Sequence, residues 1–243
     1  MNVVEENLPV YIFSSFTEDM VRKAFGLSRE LKIDGFLTEW IKRSESVVLN
    51  KLEQQQLKRL NKKAILYAKG WNEQELREKL IAPIIDLVDF DLYDLEIAAF
   101  SEREMKVIYN ESILKGKVEW MVAKGISDPT YPFFFIHEYK KETGASNDPL
   151  GQLLVTLNAA HILNNQKPKP SLFEPNPSPL GDVPLYGMYV VGRFWFFVRL
   201  KGKQYYISKA YISDELEDMT FILKMLKAQK EMIIELDSTM KKH

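Results

Sequence analysis

The segment that most constrains the fold of this 243-residue chain lies between residues 117 and 141. Residues 118–123 (VEWMVA) and residues 132–139 (PFFFIHEY) are both rich in β-branched and aromatic side chains. Between them, residues 125–129 (GISDP) contain the glycine, aspartate and proline that favour a turn. Two such runs joined by a short turn predict a β-hairpin. The rest of the chain can be interpreted as a scaffold around it.

Charged side chains follow the apolar run of the second strand. Because alternate residues of an extended strand share a face, Glu138 and Lys140 are expected to project together, on the side of Phe134 and Ile136. Two charges at the end of an apolar run indicate a strand that leaves the core and enters a cleft. Glu119, on the preceding strand, is predicted to reach the same cleft. Two acids and one lysine would therefore converge there.

This set of side chains suits the hydrolysis of a phosphodiester. Two carboxylates provide the hard oxygen ligands that Mg²⁺ prefers. The metal would polarise a phosphoryl oxygen and lower the pKa of a bound water, while the ammonium of Lys140 steers that water or offsets negative charge. The Glu-x-Lys pattern also begins at Glu30 and at Glu104. An exposed ion pair at the strand end, worth about 0–1 kcal/mol, is therefore the alternative.

The arrangement resembles the PD-(D/E)XK superfamily of restriction-endonuclease-like nucleases, whose motif is an acid on one strand followed by Glu-x-Lys on the next. Glu119 matches the first acid, and Glu138 with Lys140 matches the second part. Residues 72–85 (NEQELREKLIAPII) also resemble the opening helix of the nuclease domains in type I restriction subunits. The family usually has Asp where this chain has Glu119. The extra methylene displaces the carboxylate in a geometry that tolerates only about 0.5 Å.

The resemblance implies an α/β fold with a restriction-endonuclease-like core, in which helices flank a mixed central sheet in the order α-β-β-β-α-β. This core would occupy residues 71–243, behind a helical N-terminal extension at residues 1–70. The implied activity is divalent-metal-dependent cleavage of DNA, with RNA as an alternative substrate, Mg²⁺ as cofactor and Mn²⁺ as its substitute. A homodimer is compatible with this. The alternatives are a catalytically silent nucleic-acid- or protein-binding module with the same fold, and a structural partner-binding protein.

A helix is predicted upstream of the hairpin, over residues 72–88. Asn72 and Glu75 form a capping box, and apolar residues at helical spacing form one stripe. Glu73 falls in the middle of that stripe, so it is a candidate ligand for the metal or for a water, as the corresponding acid is in some members of the family. Two structural explanations compete: the favourable position of an acid in a first helical turn, and an ion pair with Arg77 one turn on.

A second helix is predicted over residues 149–164, opened by Asp148 and by a proline at its first position. Gln152 lies on a face with small and apolar residues that would let this helix approach the sheet. In the family, a Gln on this helix bonds near the metal or the scissile phosphate; the alternative is a Gln bonded to backbone. His161, on the same helix, and His137, expected on the hairpin face opposite the acids, are discounted as catalytic groups.

Composition limits the classes of function. The 33 basic and 34 acidic residues nearly balance, so no whole-molecule field draws the chain to nucleic acid, and a nuclease would confine its basic surface to a cleft. With no cysteine there is no disulfide framework and no thiolate ligand or nucleophile. The acidic N-terminal sequence and the absence of a long apolar run predict a cytoplasmic protein with no membrane partner.

The remaining segments are expected to complete the scaffold. Residues 1–70 are predicted to be a mostly helical cover for the sheet. Their basic side chains Lys58, Arg59, Lys62 and Lys63 are interpreted as a solvated face, with a DNA-reading element as the alternative.

The C-terminal third is predicted to return to the sheet. Residues 166–184 hold six prolines and are expected to form an extended loop. Residues 185–191, 193–200 and 204–208 are predicted strands, and residues 213–236 a helix. The run FWFF at residues 194–197 is assigned to the core, and an aromatic platform for bases is the alternative.

Overall fold

The structure, a computed structural model, describes residues 8–32, 35–142, 147–166 and 180–240. Its helices are α1 (Glu18–Phe25), α2 (Gly35–Ser46), α3 (Lys51–Tyr67), α4 (Glu73–Leu76), α5 (Ala82–Asp86), α6 (Pro149–Asn165) and α7 (Leu216–Met240). A π-helical turn, Arg77–Ile81, joins α4 to α5. Short 3₁₀ turns lie at Phe13–Ser15, Ala68–Gly70 and Tyr93–Leu95. No helix in these ranges is long and apolar enough to cross a membrane.

The strands of the described residues form one mixed sheet. They are β1 (Val10–Ile12), β2 (Ser28–Arg29), β3 (Ile97–Tyr109), β4 (Ser112–Lys124), β5 (Thr130–Lys140), β6 (Leu185–Val191), β7 (Phe194–Lys201), β8 (Gln204–Ile207) and β9 (Tyr211–Ile212). The order across the sheet is β1-β4-β5-β6-β7-β8-β2, with β3 beside β4 and β9 beside β7. β3, β4 and β5 are successive antiparallel neighbours, and β6 is parallel to β5 after the crossover through α6. The predicted α/β class, a mixed sheet flanked by helices, is confirmed.

Alternating side chains divide the core into two apolar layers, one on each face of the sheet. On one face, α2, α3, α5 and α7 cover strand residues such as Trp120 and Trp195. On the other face, α1 and α6 cover residues such as Met121 and Ile136. Since α6 is enclosed between the sheet and α1, it is apolar around most of its circumference.

The central hairpin forms as predicted, with strands longer than the sequence pattern indicated. Val122 pairs with Phe135, but Ala123 pairs with Phe133, so Phe134 is an extra residue in β5. This is a β-bulge, which interrupts the alternation of side chains along the strand. Phe134 therefore packs in the same layer as Phe135. The prediction that it shares a face with the two charged residues at the strand end is wrong.

A buried asparagine holds the backbone beside this bulge. Asn164, near the end of α6, accepts a hydrogen bond from the backbone N–H of Phe133 at 2.9 Å. It also donates to the carbonyl oxygen of Phe133 at 2.8 Å. The side chain thus replaces a strand neighbour where the β4–β5 register shifts, and backbone groups that would otherwise be buried without partners are satisfied.

The N-terminal residues are integrated into the sheet as well as covering it. The helices expected between residues 8 and 70 are present, and the first opens at Thr17, whose hydroxyl accepts a hydrogen bond from the backbone N–H of Met20 at 3.3 Å. Two short strands were not predicted: β1 pairs in parallel with β4, and β2 with β8. Val10–Ile12 and Ser28–Arg29 consequently share one sheet with the later strands.

The C-terminal elements follow the sequence pattern closely. The predicted strands correspond to β6, β7 and β8 within one residue at each end, and α7 begins and ends a few residues later than expected. The run at residues 194–197 is partly core: Trp195 and Phe197 are buried, whereas the two alternate residues are half-buried. Most of the proline-rich loop, residues 167–179, and the last three residues lie outside the described ranges.

Candidate active site

The two hairpin strands separate at the position of the predicted acids. The last residues that β4 and β5 pair are Trp120 and His137. Glu119 and Glu138 come next on their strands, and β5 continues beside β6 as far as Lys140. This divergence opens one end of the hairpin, and it brings both carboxylates and the lysine to the same edge.

Glu138 is completely buried. Neither oxygen of its carboxyl has a hydrogen-bond partner in the described part of the chain. Burial raises the pKa of this carboxyl well above its usual range, and the negative charge of Glu119 raises it further, whereas Lys140 and then the nearby backbone N–H of Glu119 lower it. A buried carboxylate without partners is strongly unfavourable. The group is therefore expected to keep its proton to a higher pH than an ordinary glutamate does, unless a cation takes the place of that proton.

Lys140 connects the acids at this edge. Its side chain is 10% exposed, and its ammonium nitrogen lies 3.7 Å from Oε1 of Glu119 and 3.5 Å from Oε1 of Glu73. Among the ion pairs of the described residues there is none between Lys140 and Glu138. The ammonium is thus held between the acid of β4 and the acid of the upstream helix.

Glu73 reaches this edge because of how its helix starts. Asn72 accepts a hydrogen bond from the backbone N–H of Glu75, and the Glu75 carboxylate accepts one from the backbone N–H of Asn72, so the predicted capping box is formed. Glu73 is the first residue after the cap, where the helix dipole also favours an acid. The competing ion pair with Arg77 is not formed. Arg77 instead donates to Glu102 at 2.6 Å.

Gln152 lies in the first turn of α6 and is buried. The amide oxygen of its side chain has no hydrogen-bond partner within the described ranges. The predicted alternative, a side chain bonded to backbone, is not observed for that oxygen. No hydrogen bond among the described residues links Gln152 to the acids, so it stands apart from the contacts that Lys140 makes.

A neighbouring cavity was not predicted from the sequence. It has a volume of about 290 Å³ and includes Glu119, Trp120, Tyr139 and Arg77 in its lining. The hydroxyl of Tyr139 accepts a hydrogen bond from Arg77 at 3.1 Å. Burial and then the proximity of Glu119 raise the pKa of Tyr139. Tyr139 follows Glu138 along β5, so strand alternation points it to the opposite face, and the separation of the strands explains why Glu119 nevertheless reaches it.

Two carboxylates at this edge are the kind of ligand that Mg²⁺ takes when it keeps much of its water. Mg²⁺ is commonly bound through one or two carboxylates together with waters and substrate phosphates. Glu119 and Glu138 supply two such groups, and the unpartnered oxygens of Glu138 lack the positive charge that a cation would bring. Across residues 8–32, 35–142, 147–166 and 180–240, no three acidic, histidine or cysteine side chains form a complete metal cage.

The two discounted histidines are not charged groups of the site, although His137 belongs to the lining of the neighbouring cavity. His137 is fully buried, with neither ring nitrogen hydrogen-bonded to a described residue, and burial lowers its pKa to about 3. Its ring packs against Trp120 and Trp195. His161 is half-buried on α6, and burial lowers its pKa too. Both are therefore neutral at physiological pH.

Similarity to known proteins gives no independent assignment. No protein-family model matches the chain, and no curated protein is significantly similar to it.

Proposed function

We propose that this protein is a divalent-metal-dependent nuclease that hydrolyses phosphodiester bonds in DNA. The observation that carries the proposal is the buried, unpartnered carboxyl of Glu138 beside Glu119, at the point where two strands separate. A buried carboxyl group with no hydrogen-bond partner and an acidic neighbour destabilises the folded state, and ionisable groups with such shifted pKa values are typical of functional sites. Lys140, held between Glu119 and Glu73, adds the one cation of the motif.

The order of elements also supports the proposal. Residues 73–191 run helix, three antiparallel strands, crossover helix, parallel strand. This order agrees with the α-β-β-β-α-β order expected of a restriction-endonuclease-like core, in which Glu119, Glu138 and Lys140 would lie on the second and third strands. We therefore propose that the fold, as well as the motif, is that of the PD-(D/E)XK superfamily.

Glu119 and Glu138 would hold the metal ion, and Glu73, whose carboxylate contacts Lys140, would contribute through a water. Bound Mg²⁺, or Mn²⁺ in its place, supplies a Lewis acid for a phosphoryl oxygen and a water of lowered pKa. Lys140 donates hydrogen bonds from a fixed position, and it can orient the attacking water or offset charge on the phosphate. Glu73 keeps the ammonium in place. Gln152 has a supporting role, as a buried amide on the helix that covers the Glu138 face of the sheet.

The test is cleavage of supercoiled plasmid and of single-stranded DNA with Mg²⁺, Mn²⁺ or EDTA. Four identically purified proteins are compared: wild type, Lys140→Ala, Glu138→Gln and Lys141→Ala. The last is the matched control, since it removes the same charge one residue away. We expect metal-dependent cleavage by wild type and Lys141→Ala, and a loss of about 100-fold or more in the other two.

Equal cleavage by wild type and Lys140→Ala would refute the assigned role of Lys140. If no protein cleaves but wild type binds DNA, the catalytically silent module becomes the better description. Calorimetric titration with Mn²⁺ then decides whether the two acids hold a metal at all, because Glu138→Gln should abolish the binding heat.

A further inference from the structure

Helix α3 carries a row of basic side chains on its exposed face. Lys51, Lys58 and Lys62 are all exposed, and at 3.6 residues per turn they lie within about 40° of one another around the helix. Arg59 is exposed beside them, and Lys69 is exposed in the 3₁₀ turn that follows the helix. The buried residues of α3, such as Leu57 and Leu60, lie on the other side. We refer to Lys51, Lys58, Arg59, Lys62 and Lys69 as the α3 row.

The α3 row has no exposed acid beside it on the same helix. The chain as a whole has 33 basic and 34 acidic residues, yet the single acid in α3 is Glu53, which is buried and ion-paired with Lys227. Within the described residues Lys58, Arg59 and Lys62 form no ion pair. Lys58 and Lys62 are four residues apart, a like-charge spacing that destabilises a helix by a few tenths of a kcal/mol. A helix that served only as cover would gain from alternating signs.

The α3 row leads towards the candidate active site. The chain passes from α3 through the turn Ala68–Gly70 directly to Glu73, which contacts Lys140. Lys69 also lies near Glu142, which is two residues beyond Lys140. Arg193 is the main cause of the lowered pKa of Glu142, and the positive charge of Lys69 lowers that pKa further. A polyanion bound along α3 therefore approaches the edge where the acids converge.

We infer that the α3 row binds the phosphate backbone of duplex DNA and delivers it to the Glu119–Glu138 edge. The inference depends on the proposed nuclease function for its purpose, but the binding itself does not require catalysis. From Lys51 to Lys62 the helix rises about 16 Å, which corresponds to about five phosphates along one strand of a duplex. Contacts of this kind carry no base information, so binding would be independent of sequence and sensitive to salt.

The experiment measures binding of a labelled DNA duplex of about 30 base pairs by fluorescence anisotropy, in EDTA, between about 50 and 200 mM salt. The test protein carries Lys58→Gln, Arg59→Gln and Lys62→Gln, changes that keep helix propensity similar. The control carries Arg22→Gln, Lys23→Gln and Lys115→Gln, which remove the same charge from exposed positions that include α1, the helix on the other face of the sheet. Thermal unfolding checks that both triple variants fold.

We expect wild type and the control to bind with similar salt dependence. Loss of three phosphate contacts should reduce the slope of log K against log salt by about 2.7, so the fourfold salt increase weakens wild type about 40-fold more than the α3 variant. Equal slopes for wild type and the α3 variant would overturn the inference, as would equal losses in the two triple variants. Binding of wild type to anionic phosphatidylglycerol vesicles but not to the duplex would also overturn it, in favour of a lipid surface.

A second substrate separates this inference from the nuclease proposal. Bis(4-nitrophenyl) phosphate has a single phosphate and cannot span the α3 row. The α3 variant should hydrolyse it as fast as wild type, whereas Lys140→Ala should fail to hydrolyse it yet bind the duplex normally. If wild type hydrolyses neither substrate while duplex binding still depends on the α3 row, the inference holds and the nuclease proposal fails.

Discussion

Replacement of Glu138 by glutamine should make the protein more stable and inactive at the same time. Burial raises the pKa of the Glu138 carboxyl above its ordinary value of 4.5. Above pH 4.5 the unfolded chain therefore loses this proton while the folded protein keeps it. The folded state then binds more protons than the unfolded state, so the free energy of unfolding falls as pH rises. Glutamine has a similar shape and cannot ionise, and Glu138→Gln removes this loss.

The magnitude follows from the one proton involved. Each pH unit within the window between the unfolded and folded pKa values costs wild type up to about 1.4 kcal/mol relative to Glu138→Gln. Urea unfolding, followed by fluorescence of the four tryptophans, gives the difference in unfolding free energy at intervals from pH 5 to 8 in EDTA. Within that window, the unfolding free energy of Glu138→Gln should rise relative to that of wild type as the pH increases. Glu104→Gln, a control at an exposed carboxyl of β3, should show no such trend.

Divalent metal should make wild type more stable than Glu138→Gln. A ligand at about 100 times its dissociation constant stabilises the folded state by about 2.7 kcal/mol, and metal displaces the proton of Glu138 more readily as pH rises. Mn²⁺ should therefore stabilise wild type increasingly from pH 6 to 8, without an effect on Glu138→Gln. Parallel pH curves for the two proteins in EDTA would refute the idea that Glu138 is buried without a partner.

Three further substitutions test packing around the site by the same urea assay. Burial lowers the pKa of His137 to about 3, so below pH 6.5 the unfolded wild-type chain takes up a proton that the folded protein does not. Wild type therefore loses up to about 1.4 kcal/mol of unfolding free energy per pH unit there, and His137→Phe should not show this loss. Gly151→Ala would put a methyl carbon 2.4 Å from a backbone oxygen before α1 and should lower the unfolding free energy by about 1–3 kcal/mol. Gly70→Ala is the control, because its methyl carbon would have no neighbouring atom within 4 Å, and it should change the unfolding free energy little. Asn164→Leu leaves two backbone groups of Phe133 unpaired and should cost about 2 kcal/mol or more; a smaller loss would mean that water replaces the amide.

Local sequence patterns predicted the hairpin and its charged end because those signals are short-range. Strand alternation assigns Glu138 and Lys140 to one side and His137 to the other, and it holds over the last residues of β5 because nothing interrupts it there. It failed at Phe134, where a bulge interrupts the strand beside Phe133, whose backbone is bonded to Asn164, 31 residues away in the chain. A contact of that range leaves no mark on the local pattern.

Strand alternation predicted that Glu119 and Lys140 meet at one edge, but the sequence did not predict the contacts of the residues around them. The partner of Arg77 is Glu102, 25 residues away, rather than the Glu73 that helical spacing suggested. The strands β1 and β2 were missed because segments of three and two residues are too short to show a period. Tyr139 gave no signal, since its closeness to Glu119 follows from the separation of two strands and not from the order of residues.

The bulge at Phe134 lies just before the pairing of β5 with β6 begins, and that pairing limits where the hairpin can change length. Residues beyond the bulge keep their orientation because they pair with β6, so gain or loss of a residue in the turn at 125–129 would leave Glu138 and Lys140 in place. A single deletion between Phe135 and His137 would instead exchange the two sides of the strand end. The acid and the lysine would then enter the aromatic layer, and the histidine and tyrosine would face the cleft. Proteins descended from this one should therefore vary in the turn and conserve the length of the segment after the bulge.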